Sequence, residues 1–335
     1  MKKKEQLDLF GTEADARRET STPASPNARF VELAAQLPAH VRLGTSSWTF
    51  PGWAGLVYHR RYASQKSFVS ESLVEYAQVP LFRTVGIDRS YYGPIPAPEL
   101  AAMREQLPEG FLATMKVWEG LTTLQFANHP DRGAKRRTQN ESFLDPDAFE
   151  QLIGAPVRAS GFGDRLGAFV VEIPSTPDRP DESVFLGKLA RFLERTPGAF
   201  AIELRDKRLF TRRYLDVLSA HAASHCFNFW SRMPGLGAQL DFVKSLDSFP
   251  RVVVRLMLQP GERYEKRREA MAPFDRLADP QPQMREDVAR IVQATTALQI
   301  PTFVIANNKA EGSAPQTLIA LAARLARPPA ALVIG

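Results

Sequence analysis

A single cysteine, Cys226, stands in 335 residues. Without a second, no disulfide can close within the chain, and a reducing cytosol is the expected compartment. Cys226 lies in the apolar run HCFNF and reads as a packed thiol rather than a nucleophile. Histidine is also scarce. His40, His59, His129, His221 and His225 are scattered without ligand spacing, which argues against a multi-zinc nuclease site. No apolar run reaches membrane-span length, so no membrane association is expected. The opening MKKK is followed by EQLDLFGTEADARRE, which lacks the apolar region of a signal peptide. The chain has no Gly-x-Gly-x-x-Gly loop after an early strand, no nucleophile elbow and no Ser-His-Asp order. It has no short-period repeat and no strong low-complexity segment.

What is present is an ordinary globular composition, 44% hydrophobic and 24% charged, with a net charge of +6. The positive excess is compatible with an anionic partner but too small to establish one. Residues 1–39 are polar and carry Pro23, Pro26 and Pro38. They read as a flexible, disordered tail, with a helical turn or two at 28–37, and residues 40–335 as the folded domain. Inside the tail, Gln6, Leu7, Asp8, Leu9 and Phe10 place three bulky apolar residues where no core is at hand. The pentapeptide resembles the bacterial sliding-clamp-binding motif, a short linear peptide with a few buried anchors. The alternative is that Leu7, Leu9 and Phe10 fold back onto the domain.

The stretch Ala199 to Asp206, AFAIELRD, organises the rest. It starts as a buried strand and then sets Glu203 and Arg205 two residues apart, on one face. Charges at the end of an apolar strand need partners or a ligand, because desolvating them alone is costly. The pattern recurs. Strand candidates occur at 41–45, 82–87, 111–117, 166–173, 199–205, 225–230, 251–258 and 302–307, with helical patterns between them. Residues 66–79 place Phe68, Val69, Leu73, Tyr76 and Ala77 on one face, and 283–299 align Met284, Val288, Ile291, Val292, Thr295 and Leu298. Ser313 and Pro315 open a last helix with the stripe Leu318, Ile319, Ala322 and Leu325. Eight alternating units predict an α/β fold of the (β/α)8 TIM-barrel type, with a doubly wound open sheet as the alternative.

In such a barrel the site forms where strands end. Those positions carry Trp48, Asp88, Tyr92, Lys116, Glu172 and Glu203 on the first five strands. They continue with Arg205, Asn228, Trp230, Arg255, Asn307, Asn308 and Lys309. Singly, each has an ordinary structural explanation, from snorkelling to turn capping to packing. Together they predict a pocket. Glu172 and Glu203 suit a general acid/base pair if their pKa values are pushed apart, joined by Lys116 and Asp88. Arg205, Arg255, Lys116 and Lys309 suit a phosphate or carboxylate. No cofactor is predicted, although Asp88, Glu172 and Glu203 also suit a divalent ion such as Mg²⁺. Long loops are expected at 118–144 and 258–280, and the basic stretch 204–213 suits a phosphate backbone or a solvated loop.

Several motifs resemble those of the YecE-like family, proteins with the domain of unknown function number seventy-two. GTSSWTFPGW (44–53) is similar to its opening, TVGIDRSYY (84–92) to its second strand, and IANNKAEGSAP (305–315) to its ending. MKVW, IELRD and VVRL carry the strand lysine and arginines. The resemblance implies a TIM barrel and no established activity. The chain departs from the family pattern at Gly86, where a glutamate is usual, and at Glu172, Met257 and Lys309. We expect Glu172 to restore the charge missing at Gly86, so that Glu172→Gln and Gly86→Glu should rescue one another. Three functions follow as expectations. The first is a clamp-tethered barrel of DNA maintenance hydrolysing a phosphodiester or N-glycosidic bond. The others are an enzyme of phosphorylated sugars and a non-catalytic binding module.

Overall fold

The computed structural model describes residues 28–125, 138–176 and 178–327. The strands are β1 (Val41–Thr45), β2 (Thr84–Ile87), β3 (Leu112–Lys116), β4 (Leu166–Ile173), β5 (Phe200–Leu204), β6 (Ser224–Phe229), β7 (Val252–Leu256) and β8 (Thr302–Ala306). Each lies within two residues of its expected ends, because strands covered on both faces read as continuous apolar runs. All pairings are parallel, in the order β1-β8-β7-β6-β5-β4-β3-β2. The pairing of β1 with β8 excludes the open doubly wound sheet. The remaining seam is nearly closed by a bridge between Leu43 and Phe82, where the Arg83 amide donates to the Leu43 carbonyl at 2.9 Å. Gly44 permits this approach, since a Cβ there would fall 1.9 Å from the Thr84 carbonyl oxygen.

Helices cover the outside. The helix Gln65–Ala77 is opened by Ser64 and Ser67, which cap each other's backbone amides. It buries Phe68, Leu73 and Tyr76 but exposes Val69, contrary to the expected stripe. Pro282–Ala297 buries Met284, Val288, Ile291, Val292 and Thr295; Leu298 falls past its end and is exposed. Ala314–Leu325 buries Leu318, Ile319 and Ala322. The folded part also begins earlier than residue 40. Ala28–Gln36 is a helix that buries Phe30, Leu33 and Ala34, and the Phe30 ring lies 6.0 Å from Phe82. The peptide Gln6–Phe10 lies outside the described residues.

The barrel interior is layered by the period-two alternation of strands. Its lower part is a small apolar plug of Ala168, Val170, Ala201, Cys226, Val253 and Phe303. Two residues further along β4 to β7, the inward positions become Glu172, Glu203, Asn228 and Arg255, with Glu172 in register with Glu203 and Asn228 with Arg255. Outward neighbours such as Val171, Ile202, Phe227 and Val254 stay in the main core. The switch to polarity therefore occurs on one face and at one end. Cys226 is buried in the plug, and burial pushes its thiol well above the ordinary range, with Glu203 adding to the effect. It is a packing residue.

Candidate functional site

The charged layer has a buried centre. Arg255 is fully enclosed on β7. Its Nη1 and Nη2 donate to Asp88 Oδ1 and Oδ2 at 3.0 and 2.6 Å, a bidentate pair. Its Nε lies 2.9 Å from Glu203 Oε2. Burial alone would lower the Arg255 guanidinium, but Asp88 and Glu203 outweigh it and hold it protonated. Glu203 is itself fully buried, with Arg205 Nη2 2.6 Å from its other oxygen. These two contacts to Glu203 are ion contacts rather than aligned hydrogen bonds.

Above this centre, Lys116 Nζ donates to Glu172 Oε2 at 2.5 Å and lies 3.8 Å from Asp88 Oδ2. Arg205 Nη2 donates to the same Glu172 oxygen at 3.1 Å, and its guanidinium stacks 3.8 Å over the Trp230 ring. Lys116 also sits 4.8 Å over the Tyr91 ring. Burial would raise the Glu172 carboxyl, but Arg205 and Lys116 overcome it and hold it ionised, down to about 2. Burial pushes the Tyr91 phenol well up, and Glu172 pushes it further, so it stays neutral.

These residues open into a hollow of about 210 Å³. Asp88, Lys116, Glu172 and Arg205 form its charged side, and Asn307, Asn308 and Lys309 its β8 side. The Asn307 amide donates to Ser46 Oγ at 2.9 Å, and its oxygen accepts from the Lys309 backbone. Asn308 Oδ1 accepts from Trp53 Nε1 at 3.2 Å and from the Ala314 amide at 2.8 Å. Burial, with Arg268 beside it, lowers the Lys309 ammonium to about 8 against the pull of Asp88.

The segment after β7 roofs the hollow and is not a plain loop: it contains the helix Tyr264–Met271. Buried Arg267 donates to the Lys309 and Ala310 carbonyls at 3.3 and 2.9 Å and pairs with Asp279. Glu311, fully buried, accepts from the Gln281 amide at 2.6 Å and from Arg285 Nη2 at 2.5 Å. Gly312 has φ +113°, and a Cβ there would meet the Arg276 carbonyl oxygen at 2.4 Å. The two loops are thus locked together, which carries Phe274 and Arg268 to the hollow.

Nine of the thirteen residues expected on the barrel line this hollow: Asp88, Tyr92, Lys116, Glu172, Arg205, Trp230, Asn307, Asn308 and Lys309. Arg255 does not: it is fully enclosed between Asp88 and Glu203, so it cannot itself hold an anion. The others require correction. Glu203 is sealed between Arg205 and Arg255 and cannot meet a ligand, so Glu172 and Glu203 are no acid/base pair. Asn228 is fully buried and donates to the Leu204 carbonyl at 2.8 Å. Trp48 is packed in the core, because the chain leaves the strand after Thr45 and alternation no longer sets its direction. Trp53 takes the place expected for Trp48. Phe50, Arg268 and Phe274 were also missed; Phe50 and Phe274 arrive on loops, and Arg268 on the short helix Tyr264–Met271, none of which carries a strand-end signal.

The divalent-ion expectation does not fit either. Asp88, Glu172 and Glu203 each contact an arginine or lysine, and cations interleaved among carboxylates take the oxygens a metal would need. Among the described residues no group of three His, Cys, Asp or Glu could hold a metal ion. The basic stretch 204–213 is largely spent internally: Arg205 in the site, Arg208 on Asp206, Arg212 over Phe242, and Arg213 on Glu182. Residues 133–137 of the basic run after β3 lie outside the described residues. No helix among the described residues is long and apolar enough to cross a membrane.

Residues 42–333 match the family described as protein of unknown function DUF72. The chain belongs to the DUF72 family. Two solved DUF72 structures share its fold. One, from Thermotoga maritima, has a TM-score of 0.58 at 17% identity, with 86% of this chain and 99% of that one covered. The other, from Enterococcus faecalis, has a TM-score of 0.55 at 19% identity, covering 86% and 96%. No curated protein matches. The departure at Gly86 is legible in this DUF72 barrel. A Cβ at that position meets Ser46 Cα at 3.0 Å and Asp88 Oδ1 at 3.3 Å, so a glutamate there would project beside the Asp88–Arg255 pair.

Proposed function

We propose that this DUF72 barrel binds a nucleotide-like unit of a nucleic-acid strand at its mouth, and that Gln6–Phe10 tethers it to the bacterial sliding clamp in DNA maintenance. The observation that carries the reading is the charge balance of the mouth. Asp88, Glu172 and Glu203 are matched by Lys116, Arg205 and Arg255, and Arg89 is matched by Glu99. By residue type the lining carries more basic side chains (Arg89, Lys116, Arg205, Arg268, Lys309) than acidic ones (Asp88, Glu172), which favours an anion. Trp53, Tyr91, Tyr92 and Trp230 supply faces on which a sugar or base can stack. Of the hydrolyses expected, N-glycosidic cleavage suits Glu172 better. Held ionised, it would stabilise the positive charge of an oxocarbenium-like sugar as water adds to C1′ and the base leaves with a proton.

The tether would raise the local concentration of the barrel at DNA without high intrinsic affinity. Two measurements test the reading. Binding of a single-stranded oligonucleotide should weaken with rising salt, and Lys309→Glu should weaken it further; a salt-independent response counts against phosphate contacts. A clamp pull-down should succeed with the wild-type chain and fail with Leu9→Ala/Phe10→Ala; equal recovery removes the tether. The small volume of the hollow also favours a second reading, a free phosphorylated sugar, which binding of that sugar with no oligonucleotide binding would select.

A further inference from the structure

A second hollow of about 500 Å³ adjoins the first, and Arg205 and Trp230 line both. The two residues directly follow β5 and β6, and the guanidinium stacks 3.8 Å over the indole. Within that guanidinium only Nη2 makes an aligned hydrogen bond, to Glu172. Its Nε and Nη1, and the indole Nε1 of Trp230, are buried and meet no aligned acceptor among the described residues. A buried donor left without an acceptor is costly, and folded chains hold few of them. Here three fall on two side chains in contact with each other, at the mouth of the barrel. The charges around them are already balanced. Asp88, Glu172 and Glu203 form one ion network with Lys116, Arg205 and Arg255, three of each sign. A second anion gains little from a network with no surplus charge. A neutral acceptor oxygen gains the unmade hydrogen bonds, which need direction rather than charge.

Resting on the nucleotide reading above, we infer that Arg205 and Trp230 read the base by its oxygen: they select an oxo base, such as uracil or hypoxanthine, over the amino base, cytosine or adenine. The oxygen concerned is the one at the ring position where cytosine and adenine carry an amino group. A carbonyl there accepts from the orphaned N–H groups, whereas an amino group sets donor against donor. The donors are covered in the free chain, so the entering base parts the stacked pair and uncovers them. Trp230 can yield in this way, because stacking and packing hold its ring and no hydrogen bond ties its indole N–H. Arg205 stays anchored at Nη2 by Glu172 and Glu203, which leaves Nε and Nη1 for the ligand. The selectivity arises from the edge of the base alone and does not depend on where the phosphate lies.

The test is calorimetric titration of the full chain with two pairs of deoxynucleoside 5′-monophosphates, uracil against cytosine and hypoxanthine against adenine. Within each pair the sugar, the phosphate and the ring size are the same, so their contributions cancel. In each pair that binds, the oxo member should bind at least about tenfold more tightly, within the range for an arginine reading a base edge. Arg205→Lys, which removes the guanidinium donors and keeps a charge beside Glu172, should reduce that preference to within about twofold of none. Trp230→Phe, a milder change that keeps a ring at the wall and removes its N–H, should reduce it at least about threefold. Equal affinities within each pair overturn the oxygen-reading subsite and leave the nucleotide reading standing. A preference that survives Trp230→Phe or Arg205→Lys unchanged also overturns it, because its source would lie elsewhere. If none of the four nucleotides binds, the nucleotide reading falls, and the subsite with it.

Discussion

Replacing Arg255 with methionine should be among the most damaging single changes in the barrel. Methionine is comparable in reach and apolar, so it leaves no large void; the cost is electrostatic. Glu203, fully buried, would keep Arg205 at 2.6 Å but lose the Arg255 Nε at 2.9 Å. Asp88 would lose both its hydrogen bonds to Arg255, but it reaches the hollow and keeps Lys116 at 3.8 Å, so it is compensated by water and by that lysine. Breaking one partner of a buried pair typically costs about 3–5 kcal/mol, chiefly because the remaining charge stays desolvated. The double variant Arg255→Met/Glu203→Leu removes that stranded charge and should recover at least about half the loss, since apolar replacements of buried ion pairs are often close to neutral. Urea unfolding followed by tryptophan fluorescence reads both quantities. A single variant within about 1 kcal/mol of wild type, or a double variant no more stable than the single one, would refute the reasoning.

Glu172 yields an acid-stability prediction. Its folded carboxyl lies at about 2, below its unfolded value, so its contribution is present in full above roughly pH 4.5 and is lost as pH falls towards 2. Glu172→Gln should flatten the pH dependence of unfolding across that window, and an unchanged slope would contradict it. Lys309, lowered to about 8, should bind anions through its charge, so thymidine 5′-monophosphate affinity should fall as pH rises from 7 to 9. Lys309→Arg should remove that dependence. Gly312→Ala should cost about 1–3 kcal/mol and open the 258–280 segment to limited proteolysis, because an alanine there meets backbone at 2.4 Å; equal cleavage rates would argue against the lock.

Sequence alone determined the barrel. Strands covered on both faces announce themselves as short apolar runs, and eight of them alternating with helical stripes admit few architectures. It also determined where polarity breaks into those runs, so Lys116, Glu172, Arg205 and Asn307 could be placed at one rim before any coordinates. What it could not decide was depth. Glu172 and Glu203 look alike along the chain and occupy paired register positions on β4 and β5, yet one lines the hollow and the other is sealed between two arginines. That difference arises from which cations meet them, Lys116 and Arg205 at Glu172 but Arg205 and Arg255 at Glu203, and such long-range pairing leaves no local trace. The same holds for Trp53, Arg268 and Phe274, which the segments between strands and helices bring in through contacts such as Arg267 on the Lys309 carbonyl. Periodicity follows from backbone geometry and is local; the accessibility of a charge depends on every chain segment packed around it, and only the tertiary structure sets that.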